Sequence, residues 1–444
     1  MDKEQLMINL QHISEGQRVL IAFSAGPDSM ALFDILYQDS KTRDYELCAL
    51  HFNHGLRPEA TIEADQAVAF ATSYGINCEV LCLPVRAYAK VHGCGIEGAG
   101  HVLRHKALQG YAKTHHCDYI ALGHHADDQA ETILMHMLRG SGLNGLTGMK
   151  VLRGNLLRPL LQVRKKELLA YCQAKGLAYV TDGSNGDTNY LRNDIRSHII
   201  PELERLNPKA IEHFVQMADC LQLDEESLQA QTKECFDALA FCEASQIGFW
   251  RKDLAQQNQG QQRRLLQYAV NYFEPDHCLT YKHIRVLEDL LASDCHAKEI
   301  QIGKALSFWV NRDRILLEQS KGFPSEFSYL WDLEQDFDRV PYFRLEVKEG
   351  PFFSSATKDA FCLPKDKILR VRSRQTGDVI YLPGLGRKAV KKIFQESGMS
   401  PLRRRWWPLV CDAETDDVLW IPRIAMGKTE KAYENGKIIK IKLL

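Results

Sequence analysis

The sequence predicts an α/β protein with a parallel-sheet domain first, then a helical domain, then a small α+β C-terminal domain. Three observations support this order. Short apolar runs alternate with helical stretches over residues 18–139, long helical stretches dominate residues 210–320, and short strands with turns follow over residues 366–444. Strands that alternate with helices are typical of a parallel sheet covered on both faces. We therefore expect domains at 1–208, 209–320 and 366–444, with 321–365 as a connecting segment.

The elements of the first domain follow from apolar runs and helical spacing. Strands are expected at 19–23, 45–52, 77–85 and 118–123, and helices at 30–36, 59–74, 101–115 and 127–139. Parallel sheets bind ligands beyond the carboxyl ends of their strands. Four loops are therefore expected to converge on one crevice: 24–29, 52–58, 86–100 and 124–128.

The first of these loops is Ser24-Ala25-Gly26-Pro27-Asp28-Ser29, which joins a buried strand to a helix. A sharp turn into a helix directs backbone N–H groups and the positive helix end at one point, which favours a phosphate. Pro27 suits the first helical turn because its missing N–H costs nothing there. An ordinary capped strand–helix turn is the alternative interpretation.

The second motif, His124-His125-Ala126-Asp127-Asp128-Gln129-Ala130-Glu131-Thr132, follows the fourth strand and opens a helix. Asp128 and Glu131 are three residues apart and therefore lie on one helix face. Mg²⁺ usually takes one or two protein carboxylates together with substrate phosphates, so a carboxylate of this motif, such as Asp128, is a candidate metal ligand. A well-capped helix with solvated acids is the alternative.

Several other kinds of site are disfavoured. The 13 cysteines include no Cys-x-x-Cys pair, which argues against a disulfide framework, an iron–sulfur cluster or a thiolate zinc site. Gly93-Cys94-Gly95-Ile96-Glu97-Gly98 matches a dinucleotide pattern but does not directly follow a strand. Gly427-Lys428-Thr429 lacks the upstream glycine of a Walker A loop, since Pro422 stands there. A zinc site built from His51, His54, His124 or His125 is a minor alternative.

Bulk properties favour a cytoplasmic protein. No apolar run reaches the ~18 residues that a membrane span needs, and the start of the chain lacks the plan of a signal peptide. The net charge is −1. Residues 370–405 nevertheless contain ten Lys or Arg residues and two acids, a local surplus that can neutralise phosphates. A solvated basic face with buried tryptophans is the alternative for that stretch.

The first loop resembles the Ser-Gly-Gly-x-Asp-Ser pyrophosphate loop of the N-type ATP pyrophosphatases, or PP-loop family. Ser24, Gly26, Asp28 and Ser29 match, whereas Ala25 stands where the family usually has glycine. If that position requires a positive φ, alanine costs ~1–2 kcal/mol there.

Later motifs narrow the resemblance to the tRNA(Ile)-lysidine synthase family. His51-Phe52-Asn53-His54-Gly55-Leu56-Arg57 is similar to its His-x-[Asp/Asn]-His-Gly-Leu-Arg segment, and residues 123–132 are similar to its second motif. Tyr190-Leu191-Arg192-Asn193 with Arg196 resembles its Leu-Arg-Asn-x-x-Arg segment. Residues 372–377 and 388–392 resemble parts of its C-terminal domain. Residues 95–104 match the Glu-x-x-Ala-Arg region of this family only loosely, although Glu97 and Arg104 are retained.

This resemblance implies a PP-loop ATPase domain and an ATP- and Mg²⁺-dependent ligase. It would join L-lysine to C2 of the wobble cytidine in the isoleucine tRNA with a CAU anticodon, through an adenylated cytidine, releasing pyrophosphate and AMP. The modified base pairs with A instead of G, and the tRNA changes identity from methionine to isoleucine. The oligomeric state is left open, with a homodimer among the alternatives.

The resemblance also implies roles for individual residues. The candidate catalytic residues are Asp28, Asp128, Glu131, Arg104 and Arg196, and the candidate magnesium ligands are Asp28 and Asp128. The candidate ATP-binding residues are Ser24, Ala25, Gly26, Pro27, Asp28, Ser29, His51, Asn53 and His124. The candidate tRNA-binding residues are Arg372, Arg374, Lys388, Lys391, Lys392, Arg403, Arg404 and Arg405.

Two other functions compete with this one. The first is an amide- or thio-forming ATP pyrophosphatase that acts on a small molecule, which the additional helical and basic C-terminal domains disfavour. The second is a tRNA-binding protein with a disabled ATP loop, which only Ala25 supports. A disabled loop is expected to gain ATP turnover when Ala25 is replaced by glycine.

Overall fold

A computed structural model describes most of the 444-residue chain. The described residues are 6–53, 60–180, 191–243, 246–275, 277–293, 297–303, 305–319, 326–340, 343–350, 358, 360–364, 367–427 and 436–443. They form two compact units, Met1–Leu228 and Gln229–Leu444. The predicted division into four segments is finer than these two units and stays a prediction.

The first unit contains a six-stranded sheet with the order β3-β2-β1-β4-β6-β5. Its strands are β1 (Arg18–Ala22), β2 (Glu46–Asn53), β3 (Cys78–Cys82), β4 (Tyr119–Ala121), β5 (Leu152–Arg153) and β6 (Leu156–Leu157). All neighbouring strands pair in parallel except β5 and β6. The order reverses at β1, between β2 and β4, and ligands bind at such a switch point in open α/β sheets. The predicted parallel sheet is confirmed.

Helices cover this sheet, and the last helix of this part of the chain continues past residue 228 into the second unit. They are α1 (Pro27–Arg43), α2 (Ala60–Ser73), α3 (Val85–His92), α4 (Ile96–Thr114), α5 (Ala126–Leu138), α6 (Leu143–Leu146), α7 (Lys165–Lys175), α8 (Leu191–Asp194), α9 (Ile200–Leu206) and α10 (Ala210–Leu239), with a π-helical turn at Ile195–Ile199. Val19, Leu20 and Ile21 of β1 have no exposed surface, since helices pack on both faces of the central strand. Burial on both faces explains why β1 reads as a continuous apolar run.

The expected loop at 86–100 is wrong. It contains α3 and the start of α4, which begins at Ile96 rather than at residue 101. Val85 and Ala89 are four residues apart and both buried, so this segment has an apolar helical face. Gly93 ends α3 at φ +62° and Gly95 caps α4, so these glycines form a helix–helix junction rather than a dinucleotide loop.

The described residues of the second unit form three further sheets. An antiparallel sheet has the order β7-β8-β11-β10-β9, another has the order β12-β16-β19-β20-β17-β18 with β21 paired to β20, and a third has the order β13-β14-β22-β15. The strands are β7 (Ala240–Glu243), β8 (Gln246–Trp250), β9 (Ala297–Gln301), β10 (Leu306–Asn311), β11 (Arg314–Gln319), β12 (Ser328–Trp331), β13 (Phe337–Val340), β14 (Phe343–Gly350), β15 (Ala360–Pro364), β16 (Leu369–Arg372), β17 (Val379–Leu382), β18 (Gly386–Ala389), β19 (Leu409–Asp412), β20 (Val418–Ile421), β21 (Ala425–Met426) and β22 (Gly436–Leu443).

Helices α11 (Arg251–Ala255), α12 (Gln259–Phe273), α13 (Tyr281–Ala292), α14 (Val390–Glu396) and α15 (Pro401–Trp406) complete the second unit. The helices expected around residues 210–291 are present, and the strands expected near 368–373, 418–421 and 438–443 are confirmed as β16, β20 and β22. The five-stranded sheet of the middle region was not expected. Buried strands such as β10 and β11 carry apolar residues on both faces, so they lack the period-two pattern of a half-exposed strand.

We find no helix in the described ranges that combines the length and the apolar character needed to cross a membrane.

Candidate functional site

The loop between β1 and α1 is held in a fixed shape by its own side chains. Gly26 caps α1 and Pro27 occupies its first turn, as the sequence predicts. Ser29 Oγ donates to the Gly26 carbonyl oxygen at 3.0 Å and accepts from the Ser24 N–H at 3.2 Å. Ser24 Oγ donates to Ser29 Oγ at 3.1 Å. The loop is therefore ordered around the N-terminus of α1, where the helix dipole favours an anion.

Ala25 adopts a left-handed backbone conformation, with φ at +59°. Alanine disfavours this region because its Cβ crowds the following carbonyl, at a cost of ~1–2 kcal/mol. The surroundings hold it there: Ala25 is 5% exposed, and its carbonyl accepts a hydrogen bond from the Val180 N–H at 3.0 Å. The glycine of the related motif is thus replaced at a position where glycine has a conformational advantage.

We expect Ala25→Gly to raise the free energy of unfolding by about 0.5–1 kcal/mol, because relief of the left-handed strain exceeds the extra entropy of glycine in the unfolded chain. Urea unfolding followed by circular dichroism measures this change. Ala31→Gly, inside α1 at a buried position, is the matched control and should destabilise the protein. Destabilisation by Ala25→Gly as well would show that packing of the Ala25 methyl outweighs the strain.

The junction of β4 and α5 approaches the loop closely. A Cβ added to Gly123 would lie 3.3 Å from the carbonyl carbon of Asp28, so glycine permits this contact. His125 caps α5: the Asp128 N–H donates to His125 Nδ1 at 3.4 Å, and the His125 N–H donates to Asp128 Oδ2 at 3.0 Å. The sequence predicted acids in the first helical turn but not this reciprocal cap. The two predicted motifs therefore meet at the switch point of the sheet.

Asp128 and Glu131 are bound by two arginines. Arg192 Nε donates to Glu131 Oε2 at 2.7 Å, and Arg196 Nε donates to Glu131 Oε1 at 2.6 Å. Arg192 Nη2 also donates to Asp128 Oδ1 at 3.0 Å. Glu131 is 1% exposed, whereas the arginine side chains remain 35% and 42% exposed. Glu131 therefore orients two guanidinium groups and does not line the cavity, whereas Asp128 does.

The pKa of Asp128 lies below its ordinary value. Burial by itself disfavours the charged form, but the imidazoles of His125 and His124, the Arg192 guanidinium and the His125 N–H outweigh it. Asp128 is therefore a carboxylate at neutral pH, able to hold a cation.

Asp28 has a cationic partner that the sequence analysis missed. Lys165 Nζ lies 2.5 Å from Asp28 Oδ1, and Lys165 is the first residue of α7. Asp127 fixes that helix end, because its Oδ2 accepts from the Lys165 N–H at 2.8 Å. Asp127 Oδ1 also pairs with Arg164 at 3.1 Å, and Arg164 in turn pairs with Glu204 at 2.6 Å. Asp127 thus has a structural role, while Asp128 points to the site.

These elements surround a cavity of about 720 Å³. Ser24, Asp28, Ser29, Arg104 and Asp128 contribute polar atoms, and Phe52, Leu108, Leu122 and Leu156 contribute apolar surface. A volume of ~300–1,000 Å³ with an apolar wall and a few convergent polar groups is typical of a small-molecule site.

The remaining predicted nucleotide contacts lie around this cavity or beside it. His51 lines it, and its Nδ1 lies 3.0 Å from the Phe23 carbonyl oxygen, while burial lowers its pKa. His124 lines it as well. Asn53 ends β2 but does not line the cavity. His54, in the same motif, lies outside the described residues.

His124 is neutral over the physiological range. Burial, followed by repulsion from Arg158, Arg192 and Arg104, lowers its pKa to about 4, although Asp128 opposes this shift. Among the described residues His124 Nδ1 is buried without a hydrogen-bond partner.

This depressed pKa predicts a pH-dependent stability. The unfolded chain binds the proton at a pKa of ~6.5 and the folded chain only near 4, so stability falls as the pH drops through this window. When the pH is lowered from 7 to 5, the free energy of unfolding of the wild type should fall by about 2 kcal/mol more than that of the His124→Gln variant. Urea unfolding at both pH values measures the difference. Equal losses in the two proteins would contradict a buried neutral imidazole.

The predicted basic surface is only partly open to solvent. Arg372 is 2% exposed and pairs with Asp378 at 2.8 Å and with Asp416 at 3.1 Å, so the structure does not support a tRNA contact by this residue. Trp406 and Trp407 are also buried and unavailable for stacking on bases.

The other predicted cations of this surface differ in their contacts. Lys388 pairs with Glu396 at 2.5 Å, and Arg404 Nε donates to the Met399 carbonyl at 2.7 Å. Arg403 lies 5.8 Å from the ring centroid of Trp407. Four cations make neither a side-chain hydrogen bond nor an ion pair within the described part of the chain: Arg374, Lys391, Lys392 and Arg405.

Comparisons with known proteins agree with these motifs. A PP-loop domain matches residues 2–203, and a TilS substrate C-terminal domain matches residues 369–443. The tRNA(Ile)-lysidine synthase of Geobacillus kaustophilus is 30% identical over 442 residues, covering 96% of this chain and 93% of the relative. That of Bacillus subtilis is 28% identical over 425 residues, covering 92% and 90%. The solved U34-tRNA thiolase NcsA from Methanococcus maripaludis superposes with a TM-score of 0.43 and 22% identity, over 48% of this chain and 75% of that chain.

Proposed function

The chain belongs to the tRNA(Ile)-lysidine synthase family, and from this premise we propose that it ligates L-lysine to the wobble cytidine of the CAU-anticodon isoleucine tRNA. It is an ATP-using, tRNA-modifying ligase. The observation that carries the proposal is the cavity in which the phosphate-type loop meets the Asp128 carboxylate. We also propose that the reaction takes place in the cytoplasm, as the sequence analysis expects. The homodimer stays a prediction.

The first step forms a bond between the cytidine C2 oxygen and the α-phosphorus of ATP and breaks the bond to pyrophosphate. Negative charge accumulates on the departing pyrophosphate. The loop at Ser24–Ser29 and the N-terminus of α1 are suited to bind it, and Lys165 adds a positive charge beside Asp28.

The carboxylates fit a magnesium ion. Both Asp28 and Asp128 line the cavity, and one or two carboxylates with substrate phosphates are the usual protein contribution to Mg²⁺. Asp28 is the better ligand, because both oxygens of Asp128 already accept hydrogen bonds. A bound Mg²⁺ would supply charge neutralisation for the phosphates.

In the second step the lysine ε-amine attacks C2. The C2–N bond forms, the C2–O bond breaks, and AMP leaves with that oxygen. Free lysine is protonated at neutral pH and inert as a nucleophile until it loses a proton. Asp128 is the carboxylate suited to hold the ε-ammonium in the cavity, and Glu131 keeps Arg192 and Arg196 in place beside it.

The tRNA needs further contacts. The unpaired cations Arg374, Lys391, Lys392 and Arg405 are suited to bind phosphates, and charge reversal at Lys391 and Lys392 should weaken tRNA binding and selectivity.

The proposed function is tested by incorporation of labelled lysine into an isoleucine tRNA transcript with cytidine at the wobble position. Mg²⁺-ATP is added and AMP release is followed. We expect ATP-dependent labelling of this transcript and none of initiator methionine tRNA, which carries the same anticodon.

Other outcomes favour the competing functions. Tight tRNA binding without labelling would indicate an inactive binding protein. Pyrophosphate release with a small substrate, without tRNA binding, would indicate another ATP pyrophosphatase.

A further inference from the structure

Helix α7 is fastened to α1 by buried contacts beside the loop at Ser24–Ser29. The Tyr171 hydroxyl donates to Asp34 Oδ2 at 2.6 Å, and neither residue is more than 3% exposed. One residue further along α7, the Cys172 thiol donates to the Pro27 carbonyl oxygen at 3.4 Å. These contacts fix the position of α7 relative to the first turn of α1, which the proposed function assigns to the phosphates.

The backbone at the start of α7 is fixed as well. Arg164, the capping residue, is 5% exposed and binds three acidic side chains, among them Asp127. Asp127 also accepts a hydrogen bond from the Lys165 N–H. The Lys165 side chain differs, since it is 34% exposed and its ammonium has Asp28 as its sole partner among the described residues. A fixed backbone with an exposed, singly held side chain therefore lies beside the loop.

The Lys165 ammonium and a magnesium ion would compete for the same carboxylate. Lys165 Nζ lies 2.5 Å from Asp28 Oδ1, and His125 Nε2 lies 3.8 Å from the same oxygen. Mg²⁺ binds carboxylate oxygens at ~2.0–2.1 Å. Two cations on one carboxylate repel each other, and the repulsion is stronger near a protein than in bulk water. Asp28 is therefore unable to hold Lys165 and Mg²⁺ with full strength at the same time.

We propose that Lys165 is a displaceable counter-ion of Asp28. In the enzyme without nucleotide, Lys165 neutralises the carboxylate and keeps it from repelling the incoming phosphates. When Mg²⁺-ATP binds, Lys165 releases Asp28 to the metal, and its ammonium pairs with phosphate oxygens at the loop. This inference deepens the proposed function and rests on its Mg²⁺-ATP step, but not on lysine or on the identity of the tRNA.

The side-chain chemistry of lysine suits this exchange. Its ammonium is a compact charge with three donors on a flexible four-carbon stem, so it changes partners without movement of the backbone. The pair with Asp28 is partly exposed, and ion pairs of this kind are weak enough to be broken by a competing cation. An arginine at this position would hold both carboxylate oxygens through two parallel hydrogen bonds and would be displaced less readily.

The test measures ATP affinity with and without the metal. The wild type, Lys165→Met, Lys165→Arg and Lys166→Met are titrated with ATP by calorimetry, in EDTA and in saturating Mg²⁺. No tRNA is added, so the nucleotide is not consumed and equilibrium dissociation constants are obtained. Lys166 is the matched control, because it is the next residue of the same helix and is exposed.

We expect Lys165→Met to raise the Kd for metal-free ATP about 10–100-fold, because an uncompensated Asp28 then faces the phosphates. In Mg²⁺ the Kd should rise no more than about 3-fold, since the metal compensates Asp28 without a competitor. The ratio of the two constants therefore increases. Lys165→Arg should do the opposite: metal-free ATP binds as in the wild type, Mg²⁺-ATP binds more weakly, and the ratio falls. Lys166→Met should match the wild type.

Other results overturn the proposal. A purely structural role for Lys165 would weaken ATP binding by the same factor in EDTA and in Mg²⁺, so an unchanged ratio in the two Lys165 variants contradicts the exchange. A wild type whose ATP affinity does not depend on Mg²⁺ contradicts it as well. A wild type that makes no lysidine contradicts the proposed function instead, while the titrations still decide the role of Lys165 because they need neither tRNA nor lysine.

Discussion

Asp28→Asn is expected to lower the rate of adenylation by about 10²–10³-fold, the loss typical of removing one electrostatic contact to a developing charge. The Asp28 carboxylate faces the cavity beside the loop, where it is the better of the two candidate magnesium ligands. The amide keeps the shape of the side chain but not its charge. Single-turnover release of pyrophosphate from Mg²⁺-ATP in the presence of the isoleucine tRNA measures the effect.

This loss should not come from unfolding. The Asp28–Lys165 pair is partly exposed, with side-chain exposures of 29% and 34%, and pairs of that kind contribute ~0–1 kcal/mol. Asp65→Asn, at an exposed position of α2, is the matched control and should retain full activity. Near-normal pyrophosphate release by Asp28→Asn would remove Asp28 from the chemistry and leave Asp128 as the main carboxylate.

Local features of the first unit could be predicted from the sequence. The loop at Ser24–Ser29 and the acids that open α5 follow a strand and precede a helix, so their position at the carboxyl edge of the sheet is fixed by the parallel topology. The strain at Ala25 could be predicted conditionally: alanine is unfavourable at this position only if φ is positive, which the structure shows.

Long-range partners could not be predicted in this way. Lys165 lies 137 positions from Asp28 along the chain, and no local pattern joins them. In the sequence Arg372 is one of ten cations in a basic stretch, but in the fold it is buried and forms ion pairs with two aspartates. Charge counts along a sequence do not distinguish an exposed cation from one paired in the fold, so the sequence analysis overestimated the basic surface.

Glu131→Gln is expected to lower the free energy of unfolding by about 2–3 kcal/mol, because a buried carboxylate that accepts several charge-assisted hydrogen bonds is replaced by a neutral amide. The bonds from Arg192 and Arg196 measure 2.6–2.9 Å. This expected loss of stability is smaller than the loss on breaking a fully buried ion pair, because both arginines remain partly exposed and keep Asp128 as a partner. Urea unfolding followed by circular dichroism gives the change.

The control is Glu226→Gln, which removes an exposed pair with Lys150 and should cost ~0–1 kcal/mol. The comparison also separates two roles for Glu131. If Glu131 acts by positioning the two arginines, the Glu131→Gln variant should lose both stability and lysidine formation, because the arginines beside Asp128 are released. Loss of lysidine formation at unchanged stability would instead mean that the Glu131 carboxylate itself meets the substrate, which requires the arginines to move away from it during the reaction.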